Sequence, residues 1–231
     1  MHNLAIIPAR GGSKRIPRKN IKLFLGKPII AYSIEVALNS GLFNQVMVST
    51  DDFEIASISK QFGAVVPFMR SEKTSSDFAT TFEVLEEVIT SYQEIGVQFD
   101  NVCCIYPCAP LIIKQKLVES YNLLLEEQFD SVFPIIRFGY PIQRALKLNG
   151  KRKISFFFPE FSITRSQDLD PLFHDAGQFY WINLKKFIQN GVIVTENSGC
   201  IEITEMEGQD IDNDIDWKLA ELKFEILQNI K

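Results

Sequence analysis

The chain has 231 residues, 46% of them hydrophobic, with 24 Lys or Arg against 29 Asp or Glu, a formal charge of −5 and a pI near 5.2. A chain of this size buries a good core as one domain, with or without an inserted lobe, and its acidic balance argues against a nucleic-acid binder held by phosphate contacts. No apolar run approaches the roughly 18–20 residues of a membrane span and no signal peptide precedes the first strand, so a soluble, cytoplasmic protein is expected, without membrane contact.

Leu4 to Pro8 reads as a short buried strand. It runs into Ala9-Arg10-Gly11-Gly12-Ser13-Lys14-Arg15-Ile16-Pro17-Arg18-Lys19-Asn20, a loop with two adjacent glycines and five basic side chains. Gly11 and Gly12 lack a Cβ and are free to take positive φ, which lets peptide N–H groups converge on an anion while the basic side chains supply charge. Seven of the 24 Lys and Arg lie in the first 34 residues, which hold no acid; the rest of the chain carries 17 bases against 29 acids. Charge so concentrated reads as a polyphosphate grip. The plain alternative is a basic turn that solvates its charges. Neither a Walker spacing nor a three-glycine dinucleotide fingerprint is present, which removes a Rossmann oxidoreductase.

Helix and strand patterns then alternate. Pro28 suits a first helical position, Ile30, Ile34, Ala37 and Leu38 share a face, and Gly41 stops the helix. Val46-Met47-Val48 is a strand, and its polar end, Ser49-Thr50-Asp51-Asp52, starts a helix through Ile55, Ile58 and Phe62. A third short strand is expected at Ala64 to Pro67, and a helix from Thr80 to about Gln93, with Phe82, Leu85, Val88 and Ile89 at helical spacing. Val102 to Tyr106 is a strand ended by Pro107-Cys108-Ala109-Pro110; a helix from about Lys114 to Glu127 and a strand from Ser131 to Ile136 follow. Cys103 and Cys104, adjacent in a strand, point to opposite faces and read as small core residues, with zinc spacing absent. Such alternation implies an α/β fold with a mostly parallel sheet, helices on both faces, and ligand chemistry at the carboxyl ends of the strands.

The rhythm breaks over residues 138–175, which contain turn residues, a basic cluster at Lys151, Arg152 and Lys153, and Phe156-Phe157-Phe158 before Pro159. Three consecutive aromatics suit a strand buried on both sides or a lobe that packs on a partner, and the lobe is the preferred reading. The pattern resumes with a strand from Gly177 to Ile182, a helix near Leu184 to Gln189, a strand around Cys200 to Thr204 and a helix from about Asp214 to Ile230. The chain therefore reads as one domain over 1–231 with an excursion at 138–175.

A second chemical feature is Gln209-Asp210-Ile211-Asp212-Asn213-Asp214-Ile215-Asp216. In an extended segment, side chains two apart share a face, so Asp210 and Asp212 can reach one divalent ion. Few protein oxygen donors suit Mg²⁺, which keeps several waters and takes phosphate oxygens as well. An EF-hand is excluded because no Gly stands at its sixth loop position, which is Ile215 or Trp217 from a start at Asp210 or Asp212. Asp214 and Asp216 are assigned to the start of the following helix, where they cap it and complement its dipole.

With both features in view, the sequence resembles the cytidylyltransferases that activate nonulosonic acids, the CMP-sialate synthetase group, over nearly its whole length. The strongest match is Ala9-Arg10-Gly11-Gly12-Ser13-Lys14 through Lys19-Asn20, similar to the family's Ala-Arg-x-x-Ser-Lys…Lys-Asn phosphate loop. The resemblance implies a three-layer Rossmann-like nucleotide-sugar transferase fold with an inserted dimerisation lobe. It implies that Arg10 and Lys19 hold triphosphate oxygens, that Gly12, Ser13 and Asn20 help place the nucleotide, and that Arg70, Asp77 and Thr81 lie near the cytidine. Asp210 and Asp212 match the family's metal-binding aspartates, and Arg10, Lys19 and Asp212 would be the catalytic group.

The family's sialate members usually read Gln-Pro-Thr-Ser-Pro where this chain has Tyr106-Pro107-Cys108-Ala109-Pro110, and Asn-Gly-Ala-Ile-Tyr where it has Ala176-Gly177-Gln178-Phe179-Tyr180. A phenol in place of an amide, and an amide moved to Gln178, change the hydrogen bonds offered to acylamino groups. With the stretch Phe173-His174-Asp175-Ala176-Gly177-Gln178-Phe179-Tyr180-Trp181, the chain looks most like the pseudaminic acid branch. Tyr106, Arg165 and Gln178 are then the expected sugar contacts. Arg165 matches a basic residue that the lobe gives to the neighbouring subunit of a homodimer, and a guanidinium fork suits a sugar carboxylate. The alternative is a surface Arg paired with an acidic neighbour; His174 is read as structural.

The implied reaction is CTP plus a nonulosonic acid giving a CMP-sugar and pyrophosphate, with Mg²⁺ as cofactor. Rival readings keep the chemistry but change the sugar to N-acetylneuraminate, legionaminate or an octulosonate. A rival of another class is a non-catalytic CTP or CMP sensor, which the paired aspartates disfavour because retention alone needs no metal at the α-phosphate.

Overall fold

The structure is a computed structural model that describes residues 1–229. β1 (Asn3–Pro8) leads into the basic loop, and a small ribbon of β2 (Leu23–Phe24) and β3 (Lys27–Pro28) turns the chain into α1 (Ile29–Ser40). β4 (Gln45–Ser49), α2 (Phe53–Gln61), the single turn α3 (Glu72–Ser75) and α4 (Thr81–Glu94) follow. β5 (Asn101–Ile105), α5 (Lys114–Glu126) and β6 (Ser131–Arg137) complete the first alternating series. The excursion holds a hairpin of β7 (Leu146–Leu148) and β8 (Ile154–Phe156) and returns through β9 (Phe173–Asp175). β10 (Phe179–Asn183), α6 (Leu184–Asn190), β11 (Ser198–Ile203) and α7 (Asp214–Asn229) close the described chain; the final helix was expected to reach Ile230, which lies outside the described residues.

The main sheet has the order β11-β6-β10-β5-β1-β4, with β9 also on β6. β1, β4, β5, β6 and β11 share one direction, and β9 and β10 oppose it, so the sheet is mixed and mostly parallel. The reversal follows from the excursion, which hands the chain back at the carboxyl edge of β6. β9 and β10 then run down β6 as one strand broken at Ala176–Gln178. The break sits opposite Pro134, whose carbonyl accepts the Ala176 N–H at 3.1 Å but which has no N–H to give back. Gly177, with φ 63°, makes the bend.

Alternate strand residues feed two cores. Ala5, Ile7, Val48, Cys103 and Trp181 pack against α1, α2 and α5 on one face. Leu4, Ile6, Cys104 and Tyr180 pack against α4 and α6 on the other. Cys103 and Cys104 thus face opposite layers, both buried, as their adjacency requires.

Two local expectations changed. The strand at Ala64 to Pro67 is reduced to one bridge, Val65 with Met47; Pro67 lacks the N–H that would donate the next ladder bond. Leu38 is exposed, because it lies off the Ile30–Ile34–Ala37 stripe. The run Phe156 to Phe158 lies in the excursion and is not buried on both sides; Phe157 is exposed and takes the Lys147 ammonium over its ring at 4.3 Å. No helix among the described residues is long and apolar enough to cross a membrane.

A third apolar cluster joins the chain's two ends. Phe24 and Ile29 meet Trp217 and Ala220 of α7, with Phe24 edge-on to Trp217 at 5.7 Å and to Phe224 at 5.8 Å. Ile16 of the basic loop and Ile211 of the acidic strip are buried in the same cluster, which brings the two chemical segments together.

Candidate active site

A cavity of about 250 Å³ opens at the carboxyl ends of β1 and β5. Arg10, Ser13, Lys14 and Lys19 line one side; Tyr106 to Cys108, Gly177 and Asp210 line the other. Residues 200 apart in sequence therefore face one another.

The loop is shaped by acids at the end of β4 and the start of α2. The Gly11 N–H donates to Asp51 at 2.8 Å, and a Cβ on Gly11 would lie 2.8 Å from Asp52 Oδ2. Neither Gly11 nor Gly12 takes positive φ, contrary to expectation; Gly11 is needed for close approach to Asp52, and a Cβ on Gly12 would meet nothing. The left-handed residue is Arg18, with φ 55°, which turns its guanidinium away from the cavity onto Asp52 and Glu54. Arg18 is thus removed from the expected grip.

Asp52 also caps α2, accepting the Glu54 and Ile55 N–H groups at 3.0 Å each. The Arg18 guanidinium, helped by those two N–H groups, holds its carboxyl down to about 2. With an unfolded value of about 3.9, this contribution to stability is fully present above about pH 4 and lost as pH falls through about 2. Asp52→Ala is expected to cost about 1–2 kcal/mol at pH 6 through the lost cap. It should also flatten the acid limb of stability between pH 4 and 2, as read by urea denaturation across that range.

Three basic residues reach the acidic strip. Lys19 Nζ donates to the Ile211 carbonyl at 2.7 Å, Arg15 pairs with Asp212 at 2.5 Å, and Lys22 pairs with Asp214 at 3.1 Å. Asn20 is buried, its amide donating to the Arg10 carbonyl at 2.9 Å and its Oδ1 accepting the Cys108 thiol at 3.2 Å. Its polar groups hold the loop against the turn that follows β5. Burial pushes that thiol up to about 12, so Cys108 stays protonated. Arg10 and Lys14 both pair with Asp77, so a polyphosphate that takes these two cations has to displace that carboxylate.

Only part of the acidic strip serves the following helix, and its cap is Asn213. The Asn213 side chain caps α7, accepting the Ile215 and Asp216 N–H groups at 2.8 and 3.1 Å, while Asp216 reaches back to the N–H groups of Asp212 and Asn213 at 2.9 and 3.1 Å. This is a reciprocal capping box. Asp214 pairs with Lys22 instead of capping. Among the described residues the Asp210 carboxylate has neither a hydrogen bond nor an ion pair, and it faces the cavity.

Those donors fit a hard divalent cation on particular terms. Among the described residues, no three His, Cys, Asp or Glu side chains converge to hold a metal alone. An unpartnered Asp210, with Asp212 two residues on and held only by an exposed arginine, offers one or two carboxylates. Mg²⁺ takes that number when phosphates and water complete its shell.

Other residues expected at the site are arranged as follows. Tyr106 lines the cavity with its hydroxyl 3.0 Å from Thr81 Oγ1, which joins an expected sugar contact to an expected nucleotide contact. Burial raises the phenol above its ordinary value, so it stays neutral. Behind it, Tyr180 donates to Asp175 at 2.5 Å, and Asp175 accepts the Gly177 N–H at 2.8 Å. Arg70 is buried and donates to the Ser49 hydroxyl and carbonyl at 3.0 and 2.6 Å, bracing the end of β4. Gln178 does not line the cavity; its buried amide donates to the Glu207 carbonyl at 2.5 Å. Arg165 lies outside the cavity of its own chain, with a side chain 73% exposed and paired to Asp168 at 2.9 Å. His174 packs on Phe138 at 4.9 Å, and its Nδ1 lies 2.9 Å from the Asp175 carbonyl. The backbone carbonyl of Ile211 and the cavity wall at Cys108 carry no sequence signal of a role, because both depend on what folds against them.

A family model described as Cytidylyltransferase matches residues 4–172. The chain is 42% identical over 226 residues to a pseudaminic acid cytidylyltransferase of Campylobacter jejuni, covering 98% of this chain and 97% of that protein. It is 31% identical over 231 residues to a CMP-N,N'-diacetyllegionaminic acid synthase of Legionella pneumophila, covering 99% and 98%. Among solved structures, a CMP:2-keto-3-deoxy-manno-octonic acid synthetase complexed with CTP superposes with a TM-score of 0.69 at 17% identity, covering 99% of this chain and all of that one.

Proposed function

This chain belongs to the cytidylyltransferase family, and from that membership we propose that it transfers the cytidylyl group of CTP to pseudaminic acid, releasing pyrophosphate. One observation carries the reading of the site: the basic loop and the acidic strip share one cavity, with Arg10, Lys14 and Lys19 facing Asp210. The sugar's anomeric hydroxyl attacks the α-phosphorus in line, and the bond to the pyrophosphate oxygen breaks. Arg10, Lys14 and Lys19 take the triphosphate oxygens and stabilise the charge that grows on the leaving pyrophosphate. Asp210 and Asp212 hold Mg²⁺, which when bound supplies charge neutralisation at the phosphates. Arg15 then exchanges Asp212 for a phosphate. Asn20, through the Arg10 carbonyl, and Asp51, through the Gly11 N–H, keep the loop in place while this happens. Gly12 and Ser13 line the approach of the nucleotide, with Thr81 and Asp77 toward the cytidine. Tyr106 presents a neutral phenol to the sugar's acylamino groups.

The 42% identity to a pseudaminic acid enzyme, against 31% to a legionaminate one, supports the sugar assignment. It is tested by pyrophosphate release from CTP with a panel of nonulosonic acids. Pseudaminic acid should have the highest kcat/KM; preference for N-acetylneuraminate or legionaminate overturns the sugar, and release with none overturns transferase activity in favour of a nucleotide sensor.

We also read the lobe at 138–175 as a homodimer contact that carries Arg165 to the neighbour's sugar carboxylate. Support comes from its exposed apolar residues, among them Ile163 at 94% and Tyr140 at 90%, which a monomer seldom leaves in one region. Ile163→Asp should give a monomer by light scattering and raise the KM for sugar more than for CTP. Arg165→Ala should raise the same KM and leave the dimer intact. With its triphosphate substrate, such an enzyme works in the cytoplasm.

A further inference from the structure

Between β11 and α7 the chain makes a turn over residues 204–210 that delivers Asp210 to the cavity. Its first half is closed locally: Glu207 accepts the Thr204 N–H and hydroxyl at 2.7 and 2.8 Å, and returns its own N–H to the Thr204 carbonyl at 3.0 Å. The second half is held by one side chain from another element. Lys223, two turns into α7, donates to the Glu205 carbonyl at 2.7 Å, the Gly208 carbonyl at 2.8 Å and Gln209 Oε1 at 2.9 Å. That uses all three ammonium protons. From the opposite side the Gln178 amide grips the Glu207 carbonyl, and Gly208 sits so close under Ile136 that a Cβ would lie 2.5 Å from its Cδ1. The turn is thus clamped between α7 and the start of β10, immediately before Asp210.

We propose that Lys223 is a positioning residue whose ammonium sets the 205–209 turn and so the reach of Asp210, making the site's cation affinity depend on a lysine that does not line the cavity. This rests on the reading of Asp210 as a metal ligand. Charge and position predict opposite signs. An ammonium near the acidic strip repels a divalent cation, so if only its charge mattered, removing it would tighten binding; a lysine that positions Asp210 must weaken binding when removed.

The experiment measures Mn²⁺ binding by electron paramagnetic resonance, and hydrogen exchange of the peptide covering 204–212, on the full chain without substrates. Lys223→Met is expected to weaken Mn²⁺ about 10- to 100-fold, the usual effect of losing an outer-shell partner. Exchange should rise over 204–212 and stay unchanged in β1. Lys223→Arg keeps the charge but fits the three acceptors poorly, so its affinity should fall between the two; it also serves if the Met variant does not fold. Unchanged exchange in the 204–212 peptide overturns the proposal. So does raised exchange with Mn²⁺ affinity equal to or tighter than wild type, provided Asp210→Asn abolishes binding. If Asp210→Asn binds Mn²⁺ like wild type, the metal reading fails instead, and the exchange result alone judges whether Lys223 holds the turn.

Discussion

Asp210→Asn should lower turnover about a thousandfold, the several kcal/mol that a bound cation supplies to phosphoryl charge, at about 1.4 kcal/mol per factor of ten. The expectation rests on an asymmetry in the strip. The Asp212 carboxylate pairs with Arg15, whereas the Asp210 carboxylate has no partner among the described residues and faces a cavity lined by four cations, Arg10, Lys14, Arg15 and Lys19. Asn keeps the shape and removes the charge, so the fold should survive, because no ion pair is lost. Steady-state kinetics with varied Mg²⁺ check it: kcat should collapse and stay low at high Mg²⁺. Turnover within tenfold of wild type would show that Asp210 does not hold the cation.

Lys19→Ala should cost about 10²- to 10³-fold in kcat, the range seen when one preorganised donor to developing charge is removed. Lys19 does two things that an exposed lysine does not. Its ammonium lines the cavity, and it ties the loop to the acidic strip through the Ile211 carbonyl at 2.7 Å. Removing it takes away a phosphate contact and loosens the joint between the halves of the site. The KM for CTP should rise and that for sugar should change little. Equal increases in both would assign Lys19 to the fold alone. Lys14→Ala should be milder, because that side chain is largely exposed and pairs only with Asp77.

Much of this molecule is legible in the chain because the relevant physics is local. The helix over Thr81–Glu94 follows from the spacing of Leu85, Val88 and Ile89 and from Thr80 with Glu83, which form a capping box. The strands through Leu4–Ile7 and Val102–Ile105 are apolar on both faces because two helical layers cover them. The loop's concentration of charge was legible too, since seven bases without an acid in 34 residues require an outside anion or many acidic partners. The structure supplies partners for several of them in Asp52, Glu54, Asp77, Asp212 and Asp214.

By itself the sequence determined the alternating α/β series, the place where it breaks, and the two polar segments on which chemistry can be built, since periodicity, charge and turn residues act over a few neighbours. Tertiary structure alone decided which of the five loop cations face the cavity. Arg18 is withdrawn because acids at the start of α2, more than 30 residues away, reach it first. It decided that β10 runs against the sheet, because the excursion returns the chain at the far edge of β6. It also gave Gln178 and Lys223 their work on the 205–209 turn. Their partners are mostly backbone carbonyls, groups that every residue carries and no sequence distinguishes.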